Sequence, residues 1–140
     1  MSYRIGIVGG GFVGGAMYEN FKGVFDVHVW DINEEKRTIK TFESFVDWSD
    51  IIFVCVPTPM KESGECDTSI VEDVIAKISK IDRRKYVVIK STVTPGTTES
   101  LAEAYSMNIG FNPEFLTEAN AYNDFRTQSL IIIGDCVQIS

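Results

Sequence analysis

Three groups of residues have the types and spacings that do chemistry: a glycine-rich hexapeptide, an acid closing an apolar run, and two glutamates behind a proline. Gly9-Gly10-Gly11-Phe12-Val13-Gly14 fits the spacing G-x-G-x-x-G. Between a strand and a helix such a loop cradles a pyrophosphate. Gly9 permits the tight turn, Gly11 lets backbone N–H groups approach the phosphates, and Gly14 lets the helix pack close to the sheet. Asp31 stands where a carboxylate accepts hydrogen bonds from the adenosine ribose hydroxyls of a dinucleotide, and its charge would repel a 2′-phosphate. The combination points to NAD in preference to NADP. Glu114 and Glu118 are four residues apart, so on a helical turn they share one face. Two carboxylates in one cleft push one pKa up toward the general acid–base range.

Other reactive side chains carry less. His28, the only histidine, falls inside a short apolar run instead of at a strand end, and it reads as structural. No Ser-His-Asp or Cys-His arrangement can be assembled. Cys55, Cys66 and Cys136 form no CxxC pair and no metal-ligand cluster, and their odd count argues against a disulfide framework. Reduced thiols and no metal site are expected.

The chemistry depends on elements that carry these residues to one edge. Residues 4–8 read as a buried strand and residues 12–21 as the following helix, with Val13, Ala16, Met17 and Phe21 on one side. Residues 27–30 form a second strand. Residues 51–56, a continuous apolar run ending at Pro57 and Pro59, suit a central strand buried on both faces, with Cys55 in the core. Ser69 and Glu72 match a capping box ahead of the helical repeat Ile70, Val71, Val74, Ile75 and Ile78. Residues 86–90, 108–111 and 130–133 supply further strands, and Pro95-Gly96 turns the chain into a short helix over 97–105. Strands alternating with helices predict an α/β fold of Rossmann type, a doubly wound and mostly parallel sheet. Its strand C-terminal ends lie along one edge, where ligands bind.

One joint is irregular. If residues 38–41 form a third strand, only about seven residues separate it from Trp30, whereas a crossover with its helix takes a dozen or more. The region after the second strand is therefore expected to be contracted, with the third strand absent or displaced.

At 140 residues, 44% hydrophobic and 24% charged, the chain is expected to form one domain over residues 1–140, with no internal repeat or linker. No run reaches the roughly 18 apolar residues of a membrane span, and no signal-peptide pattern follows Met1. The expectation is a cytoplasmic protein with no membrane partner. A formal charge of −7 leaves no basic field for a polyphosphate, so nucleic acid is not expected as a partner.

The second half is more specific. Val56-Pro57-Thr58-Pro59, Lys90-Ser91-Thr92 followed by Thr94-Pro95-Gly96, and Asn112-Pro113-Glu114-Phe115-Leu116-Thr117-Glu118 occur in that order at strand ends. Together with the glycine loop they make the chain resemble the N-terminal domain of the UDP-glucose/GDP-mannose dehydrogenase family over nearly its whole length. The resemblance implies an NAD-dependent oxidoreductase. It would oxidise the C6 alcohol of UDP-glucose or a related nucleotide sugar twice, through a cysteine-bound thiohemiacetal and thioester, to a uronate. By the same resemblance Asp31 and Lys36 match adenosine-ribose contacts and Thr58 a contact on the cofactor side. Thr92 matches the threonine that helps hold the catalytic water. Glu114 matches the carboxylate of proton transfer and water activation, and Glu118 the one near nicotinamide and substrate. The implied cofactor set adds Gly9, Gly11, Phe12, Val13, Gly14, Val56, Pro57, Ser91 and Thr92 to Asp31, Lys36, Thr58 and Glu118.

Three departures accompany it. The segment after Asp31 is shortened, which would remodel the adenine side. Gln128-Ser129-Leu130 stands where the family has Pro-Asp-Arg, losing an arginine near the cofactor. The family's second domain, which supplies the substrate-binding lysine and asparagine and the nucleophilic cysteine, is not within these residues, so the nucleotide sugar would be bound elsewhere and these residues alone would not turn over. Homo-oligomerisation is left open. Two alternatives share the glycine loop: a β-hydroxyacid or 6-phosphogluconate-type dehydrogenase domain, which has no need of Asn112-Pro113-Glu114-Phe115, and a non-catalytic NAD-binding module.

Overall fold

A computed structural model describes residues 3–112. Glu114, Glu118, Cys136 and the strand expected over 130–133 lie outside the described residues. Among the described residues five parallel strands, β1 (Arg4–Val8), β2 (Asp26–Trp30), β3 (Ile51–Val54), β4 (Tyr86–Ile89) and β5 (Asn108–Phe111), form one sheet in the order β2-β1-β3-β4-β5. Helices α1 (Phe12–Phe21), α2 (Phe42–Trp48), α3 (Ser69–Ile81) and α4 (Thr97–Tyr105) connect them. The chain leaves β1 toward β2, then crosses back over β1 to begin β3. Right-handed crossovers therefore put α1 on one face and α2, α3 and α4 on the other.

Period-two alternation in β1 serves both layers. Ile5 and Ile7 face Met17 of α1, with Val29 and Phe53 beside them. Val8 faces the larger core, where Phe45, Val71, Ile75, Ile78, Leu101 and Met107 are buried. Gly6 lies on that second face, and a Cβ there would come within 2.7 Å of Phe45 Cζ and 2.2 Å of Ser49 Oγ, so its bare backbone is what lets α2 sit on the sheet. No helix among the described residues is long and apolar enough to cross a membrane.

As the short joint after the second strand led one to expect, residues 38–41 are not a strand, and β2 is the sheet edge among the described residues. Thr38 alone pairs with it: its N–H donates to Val29 O at 2.9 Å and its Oγ1 accepts from Val29 N at 2.8 Å. The chain cannot continue as a strand because Thr41 already caps α2, its hydroxyl accepting from Ser44 N at 3.1 Å. Other expectations need correction. At α3 the capping box fails. Thr68 is the N-cap and Ser69 the first helical residue, because Asp67 Oδ1 accepts the Ser69 N–H at 2.9 Å while Thr68 Oγ1 donates to Glu72 at 3.1 Å. The apolar run over 51–56 stops being strand at Val54, and Cys55 is half-buried beyond its end. Lys90 likewise lies just past β4.

Candidate functional site

The strand ends are level. Val8 is in register with both Trp30 and Val54, and the ladder runs on past the strands. Gly9 N donates to Trp30 O at 2.9 Å, Cys55 N to Val8 O at 2.8 Å, Lys90 N to Val54 O at 2.9 Å and Asn112 N to Ile89 O at 3.0 Å. Segments leaving β1, β2, β3 and β4 are thereby delivered to one edge, at the point between β1 and β3 where the winding reverses. Open α/β sheets bind ligands at such a switch point.

A cleft of about 460 Å³ lies there. Gly9, Gly11, Phe12 and Val13 line it from the glycine loop, and Asp31 and Lys36 from the end of β2. Val56, Pro57 and Thr58 come from beyond β3, and Ser91 and Thr92 from beyond β4. Gly14 is the one described cofactor candidate that does not line it. It is buried underneath, its backbone so near the loop that a Cβ would stand 1.8 Å from Gly9 O. Gly9 has φ +100, and a Cβ on it would meet Cys55 O at 2.5 Å, so the turn requires glycine for both conformation and space.

The floor of the cleft suits an anion. Gly11 is the N-cap of α1 and offers no side chain to the first-turn N–H groups, and no acidic residue occupies that turn. Those donors and the positive end of the helix dipole are left for a ligand. At the β2 side, Asp31 Oδ2 accepts from Gly10 N at 2.6 Å and Oδ1 accepts from Asn33 N at 2.8 Å. The acid and the glycine loop therefore hold each other in place, and an acceptor-only carboxylate retains lone pairs for further donors.

Not every residue in the wall offers its side chain. Ser91 is buried, and its hydroxyl donates to Val56 O at 2.7 Å, tying the β4 end to the β3 end. Thr92, next in sequence, is exposed in the cleft. Three wall residues were not among the site candidates read from the sequence: Ile32, Cys55 and Lys90. Ile32 is an apolar side chain 86% exposed beside the acid. The Cys55 thiol points down toward Met17, 3.8 Å from its sulfur. Lys90 is a buried ammonium bonded to the Asn112 amide oxygen, so it joins the ends of β4 and β5. A cation closing an otherwise apolar strand was the available signal for it.

His28 lies away from this edge, its Nδ1 bonded to Thr38 Oγ1 at 2.8 Å and its ring edge-on to Trp48 at 4.5 Å. Cys66 sits in a loop, bridged by its backbone to Met60. Among the described residues no group of three His, Cys, Asp or Glu side chains could hold a metal ion.

Comparison with known proteins gives a consistent result. Residues 37–138 match the UDP-glucose/GDP-mannose dehydrogenase family, NAD binding domain. The UDP-glucose 6-dehydrogenase of Rickettsia prowazekii is 43% identical over 91 residues, covering 61% of this chain and 21% of that protein. Among solved structures, a GDP-mannose dehydrogenase from Pseudomonas aeruginosa, a ternary complex, superposes with TM-score 0.83 at 28% identity, over 94% of this chain and 41% of that one. A UDP-glucose dehydrogenase from Pyrobaculum islandicum gives 0.85 at 26% identity, over 96% and 41%. The chain spans about a fifth of the length of the curated relatives it matches.

Proposed function

Because the chain belongs to the UDP-glucose/GDP-mannose dehydrogenase family and matches its NAD binding domain, we propose that the cleft at the β1–β3 switch point holds NAD for the oxidation of a nucleotide-sugar C6 alcohol to the uronate. Family membership sets aside the β-hydroxyacid alternative. The observation that carries the cleft assignment is the coupling of Asp31 to the glycine loop through Gly10 N, beside the uncapped start of α1. That arrangement offers acceptors for ribose hydroxyls and donors for a pyrophosphate a few ångströms apart, as a dinucleotide requires.

When bound, NAD supplies the hydride acceptor. The chain's own residues do the rest of the cofactor work. Gly11 lets the backbone approach the phosphates, and the carboxylate of Asp31 orients the adenosine ribose with Lys36 beside it. Val56, Pro57 and Thr58 form the opposite wall. Thr92 is proposed to hold the hydrolytic water, Glu114 to move its proton, and Glu118 to face the nicotinamide. Support for the last two is that Asn112, ahead of Pro113, closes the β4–β5 ladder at the cleft edge. UDP-glucose or a related nucleotide sugar is the proposed substrate.

We propose further that these 140 residues by themselves bind cofactor without turnover. Among the described residues the Cys55 thiol faces the α1 side of the core and Cys66 lies in a loop outside the cleft, so neither is presented to a sugar C6; Cys136 lies outside the described residues. Steady NADH formation dependent on UDP-glucose would refute that.

Titration calorimetry with NAD and NADP tests the cofactor assignment. NAD is expected to bind more tightly, and Asp31→Ala to weaken it by about 1–3 kcal/mol, the scale of hydrogen bonds to a charged group. NADP binding equal to or tighter than NAD would refute the reading.

A further inference from the structure

Among the described residues no strand lies on the outer edge of β2, so the acid of the cofactor cleft needs another support. Thr38 bonds back to Val29 and His28 of β2, but residues 31–37 make no ladder with a strand among the described residues. Arg37 supplies the missing restraint. Its Nε donates to Asp31 O at 2.6 Å, one terminal nitrogen donates to Ile32 O at 3.4 Å, and the other to Lys40 O at 3.4 Å while lying 3.9 Å from the Glu34 carboxylate. The guanidinium carbon lies 4.6 Å from the centroid of the Trp30 ring, and Trp30 is the residue whose carbonyl accepts the Gly9 N–H. The short connection after β2 is thus wrapped around one planar cation packed on the last residue of the strand.

Arg37 does not line the cofactor cleft. It holds the main chain of Asp31, and the Asp31 carboxylate in turn holds Gly10. We propose that Arg37 is a positioning residue for cofactor selectivity: it fixes the height and direction of the Asp31 carboxylate, so that the carboxylate accepts ribose hydroxyls and repels a 2′-phosphate. The inference rests on the reading of this cleft as the NAD site. A fork of fixed N–H donors suits the task because it restrains carbonyls on both sides of a turn, which an ammonium on a flexible stem does not.

Calorimetric titrations of NAD and NADP against the wild-type chain, Arg37→Met, Asp31→Ala and the double variant test it. Arg37→Met is expected to weaken NAD by about tenfold, the lower end for loss of charge-assisted hydrogen bonds, and to leave NADP within about twofold, narrowing the preference. In the Asp31→Ala background the same change should cost NAD almost nothing, because the two residues act as a unit. Arg37→Lys preserves the charge and serves where the methionine variant does not fold. It should narrow the preference nearly as far, since one ammonium cannot reach the carbonyls of residues 31, 32 and 40 together. An unchanged NAD-to-NADP ratio in either variant, full affinity in Arg37→Lys, or an undiminished effect in the Asp31→Ala background would overturn the proposal. If Asp31→Ala itself leaves NAD binding unchanged, the cofactor reading fails and the inference falls with it; sensitivity to Asp31 without sensitivity to Arg37 removes the inference alone.

Discussion

Adjacent glycines at the start of α1 should respond in opposite directions to the same substitution. At Gly14 an added Cβ would lie 1.8 Å from Gly9 O, 3.0 Å from Gly9 C and 3.2 Å from Ile7 Cγ2. Non-bonded heavy atoms rest roughly 3.5 Å apart, so helix and loop would have to separate by about 1.7 Å. Neither side can yield locally. The obstacle is backbone, Gly9 is bonded to Trp30 O at 2.9 Å, and Ala16 and Met17 are buried against the sheet. Overpacking of this kind costs about 1–3 kcal/mol, and Gly14→Ala belongs at the upper end because no rotamer change relieves it. At Gly15 the nearest atom outside the helix is Gly10 O at 3.8 Å, an ordinary contact. Gly15→Ala should stabilise by about 0.5–1 kcal/mol through the lower entropy cost of ordering alanine in a helix. Urea unfolding of the three chains followed by circular dichroism, with slopes compared to verify a common unfolded state, measures both shifts. NAD titration should show loss in Gly14→Ala and retention in Gly15→Ala. A Gly14→Ala midpoint equal to wild type, or both variants moving together, would refute the close-approach argument.

Further tests address the frame around the cleft. The Asp50 carboxyl is held below the ordinary aspartate value, chiefly by the Arg4 backbone N–H at 2.8 Å and then by the Arg4 guanidinium, which links the starts of β1 and β3. A depressed folded pKa contributes stability that is complete above the ordinary aspartate range and is lost as pH falls through the lowered value. Asp50→Asn should therefore be less stable at neutral pH and lose less on acidification below about pH 4; urea midpoints falling in parallel for both chains would count against this. Thr41→Ala removes the side-chain acceptor of Ser44 N at the start of α2 and should cost about 1 kcal/mol, with Thr41→Ser retaining most of it in the same unfolding assay. Phe45 is fully buried under Gly6, so Phe45→Ala should cost about 3–5 kcal/mol, measured as a lower unfolding midpoint.

Local pattern carried much of the architecture. The limits of β1, α1, α4 and β5 coincide with those read from apolar periodicity and glycine or proline punctuation, because each is set within its own few residues. The glycine loop and Asp31 were legible for the same reason: their spacing is a property of one strand–turn–helix unit followed by one strand. Local pattern failed where a distant or competing partner decided. Ser69 and Glu72 have the spacing of a capping box, yet Asp67 takes the Ser69 N–H and moves the cap to Thr68. Cys55 read as strand interior and Lys90 as the last residue of its strand, yet their N–H groups bond to Val8 O and Val54 O beyond the strand ends and both become wall residues. The contraction after Trp30 was visible in the count of residues. That Arg37 and Thr38 fill the place of a strand was not, because it depends on a guanidinium folding back onto Trp30 and a hydroxyl meeting Val29. Above all, the cleft exists because β1 pairs with both β2 and β3, so the winding reverses between them. Each strand's composition records that it is buried; which neighbour it takes is settled by hydrogen bonding and packing between segments tens of residues apart, a choice that no local stretch of sequence contains.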